Sequence, residues 1–222
     1  MSIKLGNRTI YAEGKKFYLG DTLIYGVDDV IAYNTIIGGQ GAITTTASAL
    51  ETLLGLSSGD VSEFNLNGND IEAVIDVDYT LANSKFSNNL SITKYIDLDQ
   101  HVTAIGNFVF RGCVNFTEFD LLGAVTIGTN AFKRTSITSF VSNATTIGSS
   151  ATRVCASLTH FEAKFLLNRV GNTDVNNNVF LNCNSLSEVT VSRVCQTNNA
   201  GGRDGDIAYA EDTLGATIIY YD

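Results

Sequence analysis

The stretch "VTAIGNFVFRGCVNFTEFDL" occupies Val102–Leu121, and "VTIGTNAFKRTSITSFVS" repeats its grammar over residues 125–142. Each copy has an aliphatic–Gly pair (Ile105-Gly106, Ile127-Gly128), an aromatic anchor shortly after it (Phe110, Phe132), and an apolar–Thr–x–aromatic phrase. That phrase recurs as Ile92-Thr93-Lys94-Tyr95, Phe116-Thr117-Glu118-Phe119, Ile137-Thr138-Ser139-Phe140, Leu158-Thr159-His160-Phe161 and Leu186-Ser187-Glu188-Val189. An earlier copy reads Val61-Ser62-Glu63-Phe64. Anchors precede the later phrases at Phe86, Phe110, Phe132, Thr152 and Phe180, and the glycine pair returns as Ile147-Gly148 and Val170-Gly171.

Anchors spaced about 20–28 residues apart match a leucine-rich-repeat coil, which contributes one short strand and one irregular or helical turn per unit. One unit cannot enclose its own apolar side chains, whereas stacked units share an interior. The predicted inward set is Tyr95, Phe110, Phe119, Phe132, Phe140, Phe161, Phe180, Leu186 and Val189. Each large side chain buried contributes about 1.5–3 kcal/mol. Glycine is expected where the chain turns tightly between anchors.

The cysteines follow the same period. Cys113, Cys155 and Cys183 fall three residues after an anchor, where the intervening copy has Thr135. No Cys-x-x-Cys and no histidine at ligand spacing accompanies them, so buried thiols acting as small hydrophobes are expected rather than a metal site or disulfides. Cys195 lies outside the phrase and is expected to be more accessible.

"VTAIGNFVFRGCVNFTEFDL" and "NNVFLNCNSLSEVTV" together resemble the leucine-rich repeats of bacterial surface antigens of the BspA type, over about residues 86–193. In that family the phrase runs Ile-Gly, Ala-Phe, Cys, Leu-Thr and a strand. The resemblance implies a fold and a tendency to bind surfaces, and no catalytic residues. Thr152 in place of an anchor Phe, and the lengthened last unit, depart from the pattern and suggest a curved or irregular stack.

Flanking segments complete the fold class: mainly β with short helical turns, a solenoid with an N-terminal β-hairpin attachment element and a C-terminal capping strand. Residues 1–45 form the attachment element and a Gly-rich link, and residues 46–222 the solenoid. The N-terminus repeats Leu5-Gly6-Asn7-Arg8-Thr9-Ile10-Tyr11 as Leu19-Gly20-Asp21-Thr22-Leu23-Ile24-Tyr25, which reads as two or three strands with hairpin turns. Leu5, Gly6, Tyr11, Leu19, Gly20 and Tyr25 are the attachment residues, by resemblance to short segments at the ends of phage structural proteins. "TTASALETLLGLSSGD" predicts a helix capped by Ser48, with Glu51 three residues on and Gly55 or Gly59 ending it. "LGATIIYYD" reads as a closing strand after an exposed loop around residues 197–212.

Net charge is −9 at pH 7, unevenly spread: residues 1–20 carry Lys4, Arg8, Lys15 and Lys16 against Glu13, while residues 21–100 hold twelve acids against Lys85 and Lys94. Such a body repels a phosphate backbone, so nucleic acid is not an expected partner. Met1 is followed by "SIKLGNRTIYAEGKK", which lacks the apolar region of a secretion signal, and no apolar run has the length of a membrane span. Gly38–Gly41 lacks phosphate-loop spacing.

No nucleophile–base pattern surrounds His101 or His160. Asp76/Asp78 and Asp97/Asp99 are the carboxylate pairs that strand alternation could place on one face, and solvent-facing carboxylates are their plainer reading. Asp204, Asp206 and Asp212 are a calcium candidate, since a loop can gather oxygen ligands. No cofactor is expected. The sequence therefore points to a non-enzymatic structural or adhesive protein of a phage particle. Its expected partners are other virion proteins and a host-surface glycan or protein, with several copies or a homo-oligomer. A bacterial cell-surface adhesin is the alternative.

Overall fold

The computed structural model describes residues 46–67, 70–167, 178–196 and 204–222, together with four N-terminal strands. Those strands are β1 (Ser2–Leu5), β2 (Arg8–Glu13), β3 (Lys16–Leu19) and β4 (Thr22–Gly26), and they form one antiparallel meander in the order β1-β2-β3-β4. Only two residues separate each strand from the next, the shortest link that closes an antiparallel pair. The element is thus larger than the two or three strands expected. The Gly-rich link falls outside the described residues.

Helix α1 (Ala47–Leu54) starts at Thr46, whose hydroxyl accepts from the Ala49 amide at 2.9 Å. Ser48 is therefore not the cap; it lies two residues on, within the first turn. Gly55 ends the helix in the left-handed region at φ 76°, a conformation glycine adopts without a Cβ penalty. Glu51 is buried, and its Oε1 accepts from the Gly59 and Val61 amides at 2.7 and 3.1 Å, tying the helix to the strand that follows.

That strand, β5 (Val61–Asn67), folds back on β6 (Asp70–Ile75) as an antiparallel hairpin. The early phrase Val61–Phe64 therefore is not a coil of the stack. Ile71, on β6, takes the stacked position beside Tyr95.

From β6 onward the pairing is parallel. The phrase strands are β8 (Lys94–Asp97), β10 (Glu118–Asp120), β12 (Ser139–Val141), β14 (His160–Ala163) and β15 (Glu188–Ser192), closed by β16 (Thr217–Tyr221). They form two sheets, β10-β8-β6-β5 and β12-β14-β15-β16. A second face holds β7 (Tyr79–Leu81), β9 (Val102–Ile105), β11 (Thr126–Ile127) and β13 (Thr146–Ile147) in the order β13-β11-β9-β7. Tyr95 pairs with Phe119, and Phe140, Phe161, Val189 and Ile218 pair in turn. The two halves meet through Phe119 and Phe140, whose rings lie 5.5 Å apart.

The turns between these faces stack as tightly as the strands. The Phe86 amide donates to the Val109 carbonyl, Phe110 to Ala131, and Phe132 to Ala151, at 3.0, 2.7 and 2.8 Å. Each coil also places two residues at positive φ, four apart: Ser84/Asn88, Phe108/Gly112, Asn130/Arg134, Ser150/Val154 and Asn178/Asn182. Asn and Gly suit these places; Val154, at φ 63°, is β-branched and strained there.

Three periodic residue types acquire reasons from this stacking. Gly106, Gly128 and Gly148 are not among the positive-φ residues. A Cβ on Gly128 would lie 2.5 Å from the Gly106 carbonyl carbon, and one on Gly148 2.5 Å from the Thr129 nitrogen. Close approach of the preceding coil, and not a tight turn, excludes a side chain. Thr117, Thr159 and Ser187 each use both donors on one carbonyl of the coil before: Thr159 amide and hydroxyl reach Thr138 O at 2.8 and 2.9 Å. Each repeat cysteine donates to an anchor carbonyl one coil back, as Cys113 does to Phe86 O at 3.0 Å and Cys183 to Thr152 O at 3.1 Å.

The interior is a chain of rings. Phe86, Phe110 and Phe132 stack at 5.4 and 5.3 Å, Phe132 meets Phe140 edge-on at 5.5 Å, Phe140 stacks on Phe161 at 4.7 Å, and Phe161 meets Phe180 at 4.9 Å. Of the predicted inward set all are buried except Phe119, which is half-buried against Phe132 and Phe140. Thr152 leaves the stack intact: it is fully buried and its hydroxyl donates to Val179 O at 2.9 Å, filling the anchor place with a hydrogen bond.

At the far end, Gly205–Asp212 is helix α2, where an exposed loop was expected. Asp204 caps it, accepting from the Asp206 and Ile207 amides at 3.0 and 3.2 Å, and Asp206 Oδ1 accepts from the Val179 amide at 3.0 Å. Cys195, expected to be accessible, is fully buried in the 3-10 turn Arg193–Gln196.

Phe140→Ala is expected to lower unfolding free energy by about 3–5 kcal/mol through the cavity it leaves, and half-buried Phe119→Ala by less. Glu118→Ala, on the outer face, is expected to stay within about 0.5 kcal/mol of wild type in chemical denaturation. Val154→Asn is expected to gain about 1 kcal/mol by removing a β-branched side chain from the left-handed region. Differential scanning calorimetry would show this as a rise of about 2–4 °C; a fall would contradict the assigned strain.

Candidate functional site

Strand alternation sends half of each phrase strand outward. In the lower rung Asp70, Lys94 and Glu118 pair across one sheet, and Ser139, His160, Glu188 and Thr217 across the other. The next rung holds Glu72, Ile96 and Asp120, then Val141, Glu162, Thr190 and Ile219. Six carboxylates thus face Lys94, His160 and Lys164 on one surface.

The bases sit between acids. Lys94 Nζ lies 2.6 Å from Glu72 and 3.6 Å from Glu118, and the Glu72 hydrogen bond, partly opposed by burial, holds its ammonium pKa above the ordinary value. His160 lies 3.1 Å from Glu188 and 3.8 Å from Glu162, which also meets Lys164 at 2.9 Å. Such partly exposed pairs add little to stability, but they fix long side chains in place and leave a net acidic face. Towards the last strand the face turns apolar: Lys164 lies over the Tyr221 ring at 5.6 Å and Phe165 meets that ring edge-on at 6.1 Å.

A second charged surface was not foreseen. Arg111, Lys133 and Arg153 each follow an anchor by one residue, so stacking aligns them, with Arg134 beside them. Burial first, then the charges of Arg153, Arg111 and Arg134, push the Lys133 pKa down. Among the described residues, none of these four meets a carboxylate in an ion pair. The signal was present in the sequence, as a basic residue after three successive anchors, although the global charge is acidic.

The sequence-selected carboxylates do not gather. Asp76 and Asp78 are exposed beyond the end of β6, where Asp78 accepts from or pairs with His101 Nδ1 at 2.9 Å and raises that histidine's pKa. Asp97 and Asp99 do not share a face: Asp99 is exposed, and Asp97 is fully buried at the end of β8. Asp97 Oδ2 accepts from the Val102 amide at 2.7 Å, while its Oδ1 has no hydrogen-bond partner among the described residues. Burial raises its carboxyl pKa, and the Val102 hydrogen bond offsets this in part. Tyr79 and Tyr95 share a 3.1 Å hydroxyl contact nearby, and burial raises both phenols.

Burial likewise pushes the Cys113 and Cys183 thiols up to about 12 and raises Cys155. A thiol so placed is a weak nucleophile and a poor metal ligand at neutral pH. Asp204 and Asp206 are buried and spend oxygens on the helix cap and the Val179 amide, which separates them from the loop role expected of a calcium set. Among the described residues no group of three metal-ligating side chains converges. No helix of the described residues is long and apolar enough to cross a membrane.

Of the attachment residues, Leu5, Tyr11, Leu19 and Tyr25 lie in the meander, at registers Leu5↔Arg8, Ser2↔Tyr11, Ile10↔Leu19 and Phe17↔Tyr25. Gly6 and Gly20 lie outside the described residues.

A search of curated proteins and a search of solved structures find no match. The family model described as BspA type leucine-rich repeat region matches residues 79–200 in six copies, more than half of the chain. Its start at Tyr79 coincides with β7, which opens the coil that carries the first phrase, and its span takes in the coils whose glycine, anchor and cysteine columns are described above. With that match and the stacked geometry in agreement, this chain belongs to the BspA-type leucine-rich-repeat family.

Proposed function

We propose that the protein is a non-enzymatic adhesion component of a bacteriophage particle, a head or tail appendage. Repeats of this type suggest a protein-binding or adhesive repeat surface. The observation that carries the binding role is the outward strand face, where the carboxylates around Lys94 and His160 are held by one another and by strand register rather than by the core. The phage assignment rests on the duplicated Leu-Gly and Ile-Tyr segments, which fall in a separate antiparallel meander. In this reading the meander holds the chain on the particle, and the solenoid faces a neighbouring virion protein or a host-surface glycan or protein. Several copies on one particle make weak contacts act together, which raises avidity by about 10²–10⁴-fold without any new contact.

A second reading, a bacterial cell-surface adhesin, is favoured by the likeness of the repeats to those of bacterial surface antigens. Immunogold electron microscopy on a phage-producing culture separates the two. Label on purified particles is the expected result; label on the cell envelope alone replaces the first reading with the second, and label on neither overturns both.

A further inference from the structure

The column one residue after the anchors changes character along the stack. It reads Ser87, Arg111, Lys133, Arg153 and Leu181. Backbone hydrogen bonds hold these residues opposite one another. The Asn88 amide donates to Arg111 O, Gly112 to Lys133 O, Arg134 to Arg153 O and Val154 to Leu181 O, at 2.7, 2.8, 3.0 and 2.8 Å. Arg111, Lys133 and Arg153 therefore follow one another at strand spacing, about 4.8 Å per coil, and exposed Arg134 adjoins the middle one. Like charges directly opposite across a hydrogen-bonded pair oppose folding. Ser87 and Leu181 fill the same column at its two ends without a charge, so the stack itself does not call for cations there.

Among the described residues the chain does not neutralise this row. Residues 103–117 and 121–161 contain no Asp or Glu. Glu118 and Asp120, which lie between those segments, engage Lys94 and Gln100 instead. The Arg111 guanidinium lies over the Phe108 ring at 5.5 Å. Arg153 Nε is buried with no hydrogen-bond partner among the described residues, a state that folded proteins ordinarily avoid. An anion on that guanidinium would supply the counter-charge that the chain withholds.

We propose that this row binds a linear polysaccharide that carries sulfate or carboxylate groups. The proposal rests on the adhesive reading above, to which it adds a ligand class, and it holds on a particle or a cell envelope alike. Arginine forks grip an oxyanion through two parallel bonds, while lysine acts as a point charge. Negative groups repeated along one chain meet the cations in succession, so individually weak contacts add. A nucleic acid suits the row less well. Phe108, the aromatic beside it, is already covered by Arg111, which removes a stacking platform for bases, and the net charge of −9 repels an extended phosphate backbone.

Fluorescence anisotropy of labelled oligosaccharides with the full chain tests this. A heparin oligosaccharide supplies sulfates, an alginate oligosaccharide supplies carboxylates alone, and dextran supplies no charge. At least one charged probe is expected to bind, more weakly as salt rises, and dextran is expected not to; the two charged arms decide which group the row takes. The triple variant Arg111→Ser, Lys133→Ser, Arg153→Leu carries residues that the flanking coils already place in this column, and it is expected to bind at least tenfold more weakly. Its denaturation midpoint is expected to match or exceed that of wild type. If it fails to fold, exposed Arg111→Ser alone decides, with a loss of about threefold or more expected from one charge-assisted contact. Arg193→Ser, whose cation is held by Asp222 beyond β15, is expected to bind as wild type does. Absence of binding to both charged probes, undiminished binding by the folded triple variant, an equal loss in Arg193→Ser, or an oligothymidylate bound as tightly as the glycans would each overturn the proposal. These outcomes are read on the isolated chain, so they stay separate from immunogold labelling, which tests the adhesive reading itself.

Discussion

Hydrogen bonding from coil to coil, running through turns as well as strands, is the constraint on which the rest of this molecule depends. It fixes the distance between equivalent residues at strand spacing, about 4.8 Å, wherever it operates. At that distance each column must satisfy itself. Glycine is required where the Gly106 backbone crowds Gly128, hydroxyls are rewarded where Thr138 offers a carbonyl to Thr159, and rings such as Phe140 and Phe161 stack at 4.7 Å. The repeat is thus a list of what one coil tolerates in its neighbour.

The same constraint explains how far the sequence could be read. Columns that face the interior obey a period, so the anchors, the phrase strands and the buried cysteines were legible from spacing alone. Single events were not. Thr152 looks like a defect in the anchor column, but its hydroxyl finds Val179 O, a bond that spacing cannot reveal. Glu51 and Asp206 look like surface acids, yet each reaches the backbone of a neighbouring segment. The early phrase at Val61–Phe64 has the right letters in an antiparallel hairpin, because nothing in four residues specifies strand direction. Helix α2 was hidden for a similar reason: its eight residues are short and weakly amphipathic, and its start is set by the buried Asp204 cap.

What the stack leaves unconstrained is the outside. Positions such as Glu118, His160 and Ile219 point away from the core, and the aligned Arg111, Lys133 and Arg153 ride on the turns without a carboxylate partner among the described residues. A rigid interior therefore presents separate acidic, basic and apolar surfaces at fixed spacing, which suits recognition by array rather than by a pocket. Burial keeps Asp97 and the three repeat thiols inside, at pKa values that oppose ionisation.

Amide hydrogen exchange reaches the central claim most directly. The amides of Phe86, Phe110 and Phe132 sit in turns that ordinary loops would leave open, yet here they donate to the next coil. They are expected to exchange as slowly as strand amides of β8 and β14, opening together with them as one cooperative unit. Exchange of these three at the rate of exposed loop amides, while the strands stay protected, would contradict a stack held through its turns.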